Sequence, residues 1–185
     1  GHRYHFGEAR IVGVTESLRL IHPLLTFKAG DPYQAQDLAT LSQSLSETRY
    51  FRQVDVRPLL NETRDHQVPI YIGLEPKSDN LVETGVGYST DEGPRVQLNW
   101  EKPWLNSHGH SLAAQFKISQ PKQDLKFNYR LPGKDPINDY YNLQTGYERT
   151  DLNDTRSSKT SAGIHYWTKK LGYWERDYFT RLEYE

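Results

Sequence analysis

From Asn80 to the end of the chain, apolar and polar side chains alternate in segments of about ten residues, each closed by a short turn rich in Pro, Gly, Asp or Asn. In Ser111–Gln120, Leu112, Ala114, Phe116 and Ile118 fall on one side, and Ser111, Gln115, Lys117 and Ser119 on the other. Asp124–Leu131 repeats the split, with Leu125, Phe127, Tyr129 and Leu131 against Asp124, Lys126, Asn128 and Arg130. Strand side chains have a period of two, so each segment makes a strand with one apolar and one polar face. A series of such strands is the pattern of a transmembrane β-barrel wall, which meets lipid on one side and water on the other.

Composition conceals this pattern. A mean hydropathy of -0.85 and 25% charged residues look soluble, but half of a barrel wall faces a polar lumen, so hydropathy undercounts it. No apolar run reaches the roughly 18 residues of a membrane helix, which leaves strands as the spanning option. Lys+Arg 23 against Asp+Glu 24 leaves no basic footprint for nucleic acid. With Cys 0, disulfides, zinc thiolates and cysteine nucleophiles are excluded. Met 0 leads us to expect an internal piece of a longer precursor, without a signal peptide.

Seven strands are expected after a boundary near Pro76–Asn80, at Leu81–Ser89, Arg95–Lys102, Ser111–Gln120, Asp124–Leu131, Tyr140–Arg149, Lys159–Thr168 and Trp174–Tyr184. Seven do not close a barrel, since single-chain bacterial barrels begin at about eight and are even. The apolar faces are Val82, Thr84, Val86 and Tyr88; Val96, Leu98 and Trp100; Leu112, Ala114, Phe116 and Ile118; Leu125, Phe127 and Tyr129; Leu143, Thr145 and Tyr147; and Ala162, Ile164 and Tyr166. Trp100, Trp104, Tyr140, Tyr141, Tyr166, Trp167, Tyr173 and Trp174 collect at one end, as an aromatic girdle at a membrane interface. Loops at Ser89–Pro94, Gln120–Gln123 and Asp151–Ser158 then lie at the other end.

Residues 1–77 follow a different grammar. Arg10–Val14 reads as a strand, and Thr15 caps a short helix with the stripe Leu18, Ile21, His22 and Leu25. Gly30-Asp31-Pro32 breaks the chain before a second helix, from about Tyr33 to Thr48, built on Leu38, Leu41 and Leu45. Val54 and Val56, then Val68, Ile70, Ile72 and Leu74, alternate in two strands around a loop at Asn61–His66. The order is β-α-α-β-β, an α+β unit burying one sheet face under two helices, with Leu38, Leu41, Leu45, Phe51, Val54, Ile70 and Ile72 as its core.

Candidate chemical sites have plainer readings. His108-x-His110 and His2-x-x-His5 have metal-like spacing, but neither has the carboxylate or thiol company of a four-ligand site. Asp151-x-Asn153-x-Thr155 begins like a calcium loop, yet Arg156 replaces the glycine and Ala162 the bidentate glutamate. Glu83, His165, Asp177 and Glu183 fall on the polar faces, and no nucleophile elbow accompanies them. No catalytic residue, metal or cofactor is expected.

The first unit, with Gly30-Asp31-Pro32-Tyr33, the helix leucines and Tyr50-Phe51-Arg52-Gln53-Val54-Asp55-Val56, resembles a POTRA domain. That resemblance gives Phe51 the role of the aromatic plug. Arg49 stands where many members have glycine at the helix end, and arginine is disfavoured in the left-handed region, so a different turn is expected.

The second half carries Glu83-Thr84-Gly85-Val86-Gly87-Tyr88-Ser89-Thr90-Asp91, Lys102-Pro103-Trp104-Leu105-Asn106-Ser107 with Gly109-His110-Ser111-Leu112, and Arg149-Thr150-Asp151-Leu152-Asn153-Asp154-Thr155. In these segments it resembles the TamA family, outer-membrane subunits of the translocation and assembly module and relatives of BamA. The resemblance implies a membrane-proximal POTRA domain at 1–77, in the periplasm of a Gram-negative bacterium. At 78–185 it implies the first strands, about seven of sixteen, of an outer-membrane barrel. It also implies a TamB-like inner-membrane partner, outer-membrane protein clients of the autotransporter type, and a lateral gate at the first strand. That strand carries Val82, Thr84, Val86 and Tyr88 on its lipid face and Gly85 and Gly87, which weaken it, on its lumen face. Two alternatives of other classes are a POTRA-containing channel that moves substrate through its lumen, and a soluble antiparallel β-sandwich with an accessory α/β domain.

Overall fold

A computed structural model describes residues 3–14, 18–152, 155–170 and 174–185. The expectations for His2, Thr15, Asn153, Asp154 and Tyr173 lie outside the described residues. The chain divides into two compact units, Gly1–Lys77 and Ser78–Glu185.

The first unit runs β1 (His5–Val12), α1 (Leu18–Ile21), α2 (Ala35–Glu47), β2 (Phe51–Pro58) and β3 (Gln67–Pro76). Its sheet order is β1-β3-β2, with β1 parallel and β2 antiparallel to the central strand. The α2 leucines recur at helical spacing, and Leu41 and Leu45 are fully buried with Leu38 nearly so. Phe51, Ile70 and Ile72 join them, each apolar side chain contributing roughly 1.5–3 kcal/mol by leaving water. Val54 is only half-buried on the edge strand β2, so it does not belong to the core as expected.

Three local features depart from the sequence reading. The first strand starts at His5 rather than Arg10, and Phe6, fully buried and stacked 4.1 Å from Phe27, anchors it. Its register shifts between Phe6 and Ala9, which breaks the period-two pattern by which it would have been found. Among the described residues the first helix is the turn Leu18–Ile21, ended by Pro23, which lacks the N–H an α-helix needs; His22–Leu24 continue as a 3-10 turn and Leu25 is extended. At the end of α2, Thr48 Oγ1 donates to the Leu45 carbonyl at 2.7 Å, and Arg49 itself takes the left-handed conformation with φ 64°. The turn a glycine would make is therefore present with an arginine in it, against the expectation of a different turn. The left-handed region costs a non-glycine residue roughly 1–2 kcal/mol, and glycine gives part of that back as backbone entropy. Arg49→Gly is expected to stabilise the first unit by about 0.5–1 kcal/mol, read as a higher urea midpoint for this unit; an unchanged or lower midpoint would contradict this account of the turn.

Among the described residues the regular elements of the second unit are all strands: β4 (Leu81–Ser89), β5 (Gly93–Lys102), β6 (Ser111–Ser119), β7 (Lys122–Pro132), β8 (Asp139–Leu152), β9 (Thr155–Lys170) and β10 (Trp174–Tyr184). They form one seven-stranded antiparallel sheet in chain order. The two arms of the β8–β9 hairpin are longer than expected. Asp151 pairs with Arg156 and Leu152 with Thr155, so the expected loop at Asp151–Ser158 is strand almost throughout.

Candidate functional site

The register brings every expected apolar residue of this sheet onto one face. One row runs Val82, Trp100, Ala114, Phe127, Thr145, Ala162 and Leu182; the next runs Thr84, Leu98, Phe116, Leu125, Tyr147, Thr160 and Tyr184. Large apolar side chains on this face are open to the surroundings, with Val86 at 87% exposure and Leu182 at 72%. Among the described residues of the unit none covers them, and an apolar face this wide marks a surface that meets a partner or a membrane.

The apolar band crosses the strands obliquely. The Val82 row is the lowest of the band on β4, where Thr84, Val86 and Tyr88 follow above it, but it is third on β9, where Ile164 and Tyr166 lie below. The band thus drifts by two rows, or roughly 14 Å, over five strand spacings of about 4.8 Å each. That slope corresponds to strands inclined roughly 30° to the band normal, near the tilt of a barrel strand in a bilayer.

The opposite face holds the charges. Lys122 meets Glu148 at 3.2 Å, Lys126 meets Asp124 at 3.0 Å and Lys159 meets Glu183 at 2.7 Å, all between neighbouring side chains of the same face. His165 and Asp177 pair across β9 and β10, and Asn99 accepts from Gln97 at 3.1 Å and from Gln115 at 3.0 Å. Glu83, His165, Asp177 and Glu183 thus sit in a ladder of polar pairs spread along the face.

The aromatic residues separate into two groups. Tyr141 and Tyr166 stack at 4.3 Å on the apolar face, and Tyr178, unforeseen in the sequence, extends the row at 6.2 Å. Trp100 lies on the same face and donates its indole N–H to Asn80 at 3.0 Å, while Trp104 sits in the turn after β5 and Trp174 is 76% exposed at the start of β10. Tyr140 and Trp167 correct the expected girdle. They stack at 5.2 Å on the polar face, with the Arg130 guanidinium 3.8 Å from the Tyr140 ring centre. Arg130 also donates to the Pro136 carbonyl at 3.1 Å, tying the turn after β7 to that face. Sequence position near a turn had placed these two rings with the others, whereas their odd-even position decides the face. The His108 and His110 pair lies in the turn before β6, where both backbone N–H groups donate to Asn106 Oδ1 and His110 Nδ1 is 2.7 Å from the Tyr129 hydroxyl.

β4 is one of the two edges of the sheet, β10 being the other. It pairs with β5 over nine consecutive positions, from Leu81 with Glu101 to Ser89 with Gly93, and no described strand pairs with its other side. Its apolar face carries Val82, Thr84, Val86 and Tyr88. On the polar face Gly85 and Gly87 leave the backbone bare. A Cβ on Gly85 would find only the Gln97 Cβ, at 3.9 Å, so packing does not require glycine there. A Cβ on Gly87 would come within 3.0 Å of Arg95 Nε.

No family model matches the chain. Solved structures do. The structure of BamA from Haemophilus ducreyi lacking POTRA domains 1-3 matches with a TM-score of 0.64 and 16% identity, over 90% of this chain and 32% of that one. The chain shares its fold. CdiB from Acinetobacter baumannii matches at 0.59 and 12% identity, over 98% of this chain and 37% of that one. CdiB from Escherichia coli matches at 0.55 and 10%, over 98% and 36%. The chain therefore spans about a third of the length of these barrel proteins, and the seven-stranded sheet has the fold of part of such a barrel.

Proposed function

We propose that this chain supplies a POTRA domain and the first strands of an outer-membrane assembly factor of the TamA type, which inserts client β-barrel proteins, autotransporters among them, by opening its wall beside β4. The observation that carries this reading is β4 itself: a fully formed strand at one edge of the seven-stranded sheet, with a regular apolar face and a polar face that carries glycine at two positions, which weakens the seam it makes with the strand that closes the wall. Such an edge adds an incoming strand by backbone hydrogen bonds, which require no particular client sequence. The oblique apolar band supports a bilayer as its surroundings. The structural matches at 90% and 98% extend beyond Ser78–Glu185, which is about six-tenths of the chain, so the first unit shares in the likeness. The first unit then faces the periplasm of a Gram-negative cell, with an open sheet edge for a TamB-like inner-membrane partner. The reading assigns the chain no catalytic chemistry, metal or cofactor.

The charged face favours a second reading, a channel that passes substrate through its lumen. Photo-crosslinkers placed along Leu81–Ser89 and, separately, at Gln115 and Lys126 distinguish the two in cells making a client. The assembly reading expects client adducts along β4. Adducts confined to Gln115 and Lys126 would overturn it in favour of the channel.

Orientation gives a further expected result. With the first unit in the periplasm, β4 runs outward and β5 returns, so the β8–β9 tip at Asp151–Arg156 is extracellular. A cysteine at Arg156 should react with a membrane-impermeant maleimide on intact cells. Reaction only after permeabilisation of the outer membrane would reverse the orientation.

A further inference from the structure

The polar side of β4 holds a trough of about 590 Å³ whose floor includes Gly85 and Gly87 and whose walls carry Arg95, Lys117, Lys122 and Lys126. Two of these cations are matched: Lys122 by Glu148 at 3.2 Å and Lys126 by Asp124 at 3.0 Å. Among the described residues, Arg95 and Lys117 form no ion pair, and Glu92, in the turn after β4, is the remaining carboxylate of the lining. Arg95 lies directly opposite Gly87 in the β4–β5 register. Its Cδ, Cγ and Nε lie 3.8, 3.4 and 3.0 Å from where a Gly87 side chain would begin, so the side chain packs over the backbone of β4 at Gly87. β4 is one edge of the sheet, so the Arg95 Nε over Gly87 lies one strand spacing from the strand that would pair there.

We infer that Arg95, reaching over Gly87 with Lys117 behind it, selects incoming strands that carry a carboxylate on the polar face opposite Gly85–Gly87. This rests on the strand-addition reading of β4 and gives the client a chemistry. Backbone pairing at the edge is indifferent to sequence, whereas a guanidinium fork held over a glycine floor is not. Gly87 creates the selectivity, because any side chain there would occupy the space that Arg95 fills. A strand with glutamate at that position gains a charge-assisted cross-strand pair with a cation that forms no ion pair among the described residues. One with glutamate at the neighbouring position would point the acid towards the apolar side.

The test uses the intact membrane-inserted protein with a photo-crosslinker at Tyr88 and synthetic strand peptides that differ at one position. A peptide with Glu on the polar parity should be captured about two- to fivefold more than its Gln twin, the range of one favourable cross-strand pair. Arg95→Gln should abolish the difference, and Arg95→Glu should reverse it in favour of a Lys peptide. A Glu on the apolar parity should show no preference for Arg95. Equal capture of Glu and Gln peptides by the unaltered protein would overturn the inference while leaving strand addition at β4 intact. Capture of neither peptide would overturn strand addition at this edge, and the inference with it.

Discussion

Leu98→Arg or Phe116→Arg is expected to destabilise the membrane-inserted protein by about 2–4 kcal/mol, the cost of an arginine on the lipid face of a barrel at mid-depth. Leu98 and Phe116 are direct cross-strand partners, with Thr84 and Leu125 on either side in the same row. That row lies within the apolar band on every strand it crosses, so the new charge has no aqueous route short of the interface. Gln115→Lys, one residue away on the opposite face, is expected to change stability by less than about 0.5 kcal/mol, because it enters a face already built of ion pairs and amides. Urea unfolding in bilayers measures both. Equal costs on the two faces would mean that the assigned faces are wrong.

The second large effect concerns movement. In the intact protein, a disulfide joining β4 to the strand that closes the barrel should reduce client insertion more than about tenfold and leave the protein folded and membrane-inserted. The nine-position ladder between β4 and β5 is unbroken, so β4 stays with the wall on that side. On the proposed function, opening occurs at its other edge, where Gly85 and Gly87 present no side chains of their own to reinforce the seam. A reducing agent should restore the rate. Full insertion by the locked protein would show that the wall need not part here and would shift the mechanism to thinning of the bilayer or to passage through the lumen.

Legibility in the sequence followed local regularity. β4 and β10 have the limits that alternation assigns, because the pairing of neither contains a bulge. The other sheet strands differ at their ends, most at the β8–β9 hairpin, where polar residues continue the ladder beyond the apolar band and alternation carries no signal. In the first unit the α2 leucines mark the buried stripe, while Phe6 is hidden by the register shift after it and the α1 stripe overruns Pro23. Arg49 shows a backbone demand overriding a residue preference, which the sequence could only present as a conflict. The expected gate residues lie on one strand. The residue that gives its polar side chemistry, Arg95, is visible only once the pairing with Gly87 is known.

The chain has Cys 0, so single cysteines along β6 give an unambiguous test of the bilayer assignment. Nitroxides at Leu112, Ala114, Phe116 and Ile118 should collide with lipid-soluble oxygen, and those at Ala113, Gln115 and Lys117 with a water-soluble relaxant, in strict alternation. Access of the water-soluble relaxant to both sets, with no excess of oxygen at Phe116, would contradict a membrane wall and leave a soluble sheet in its place.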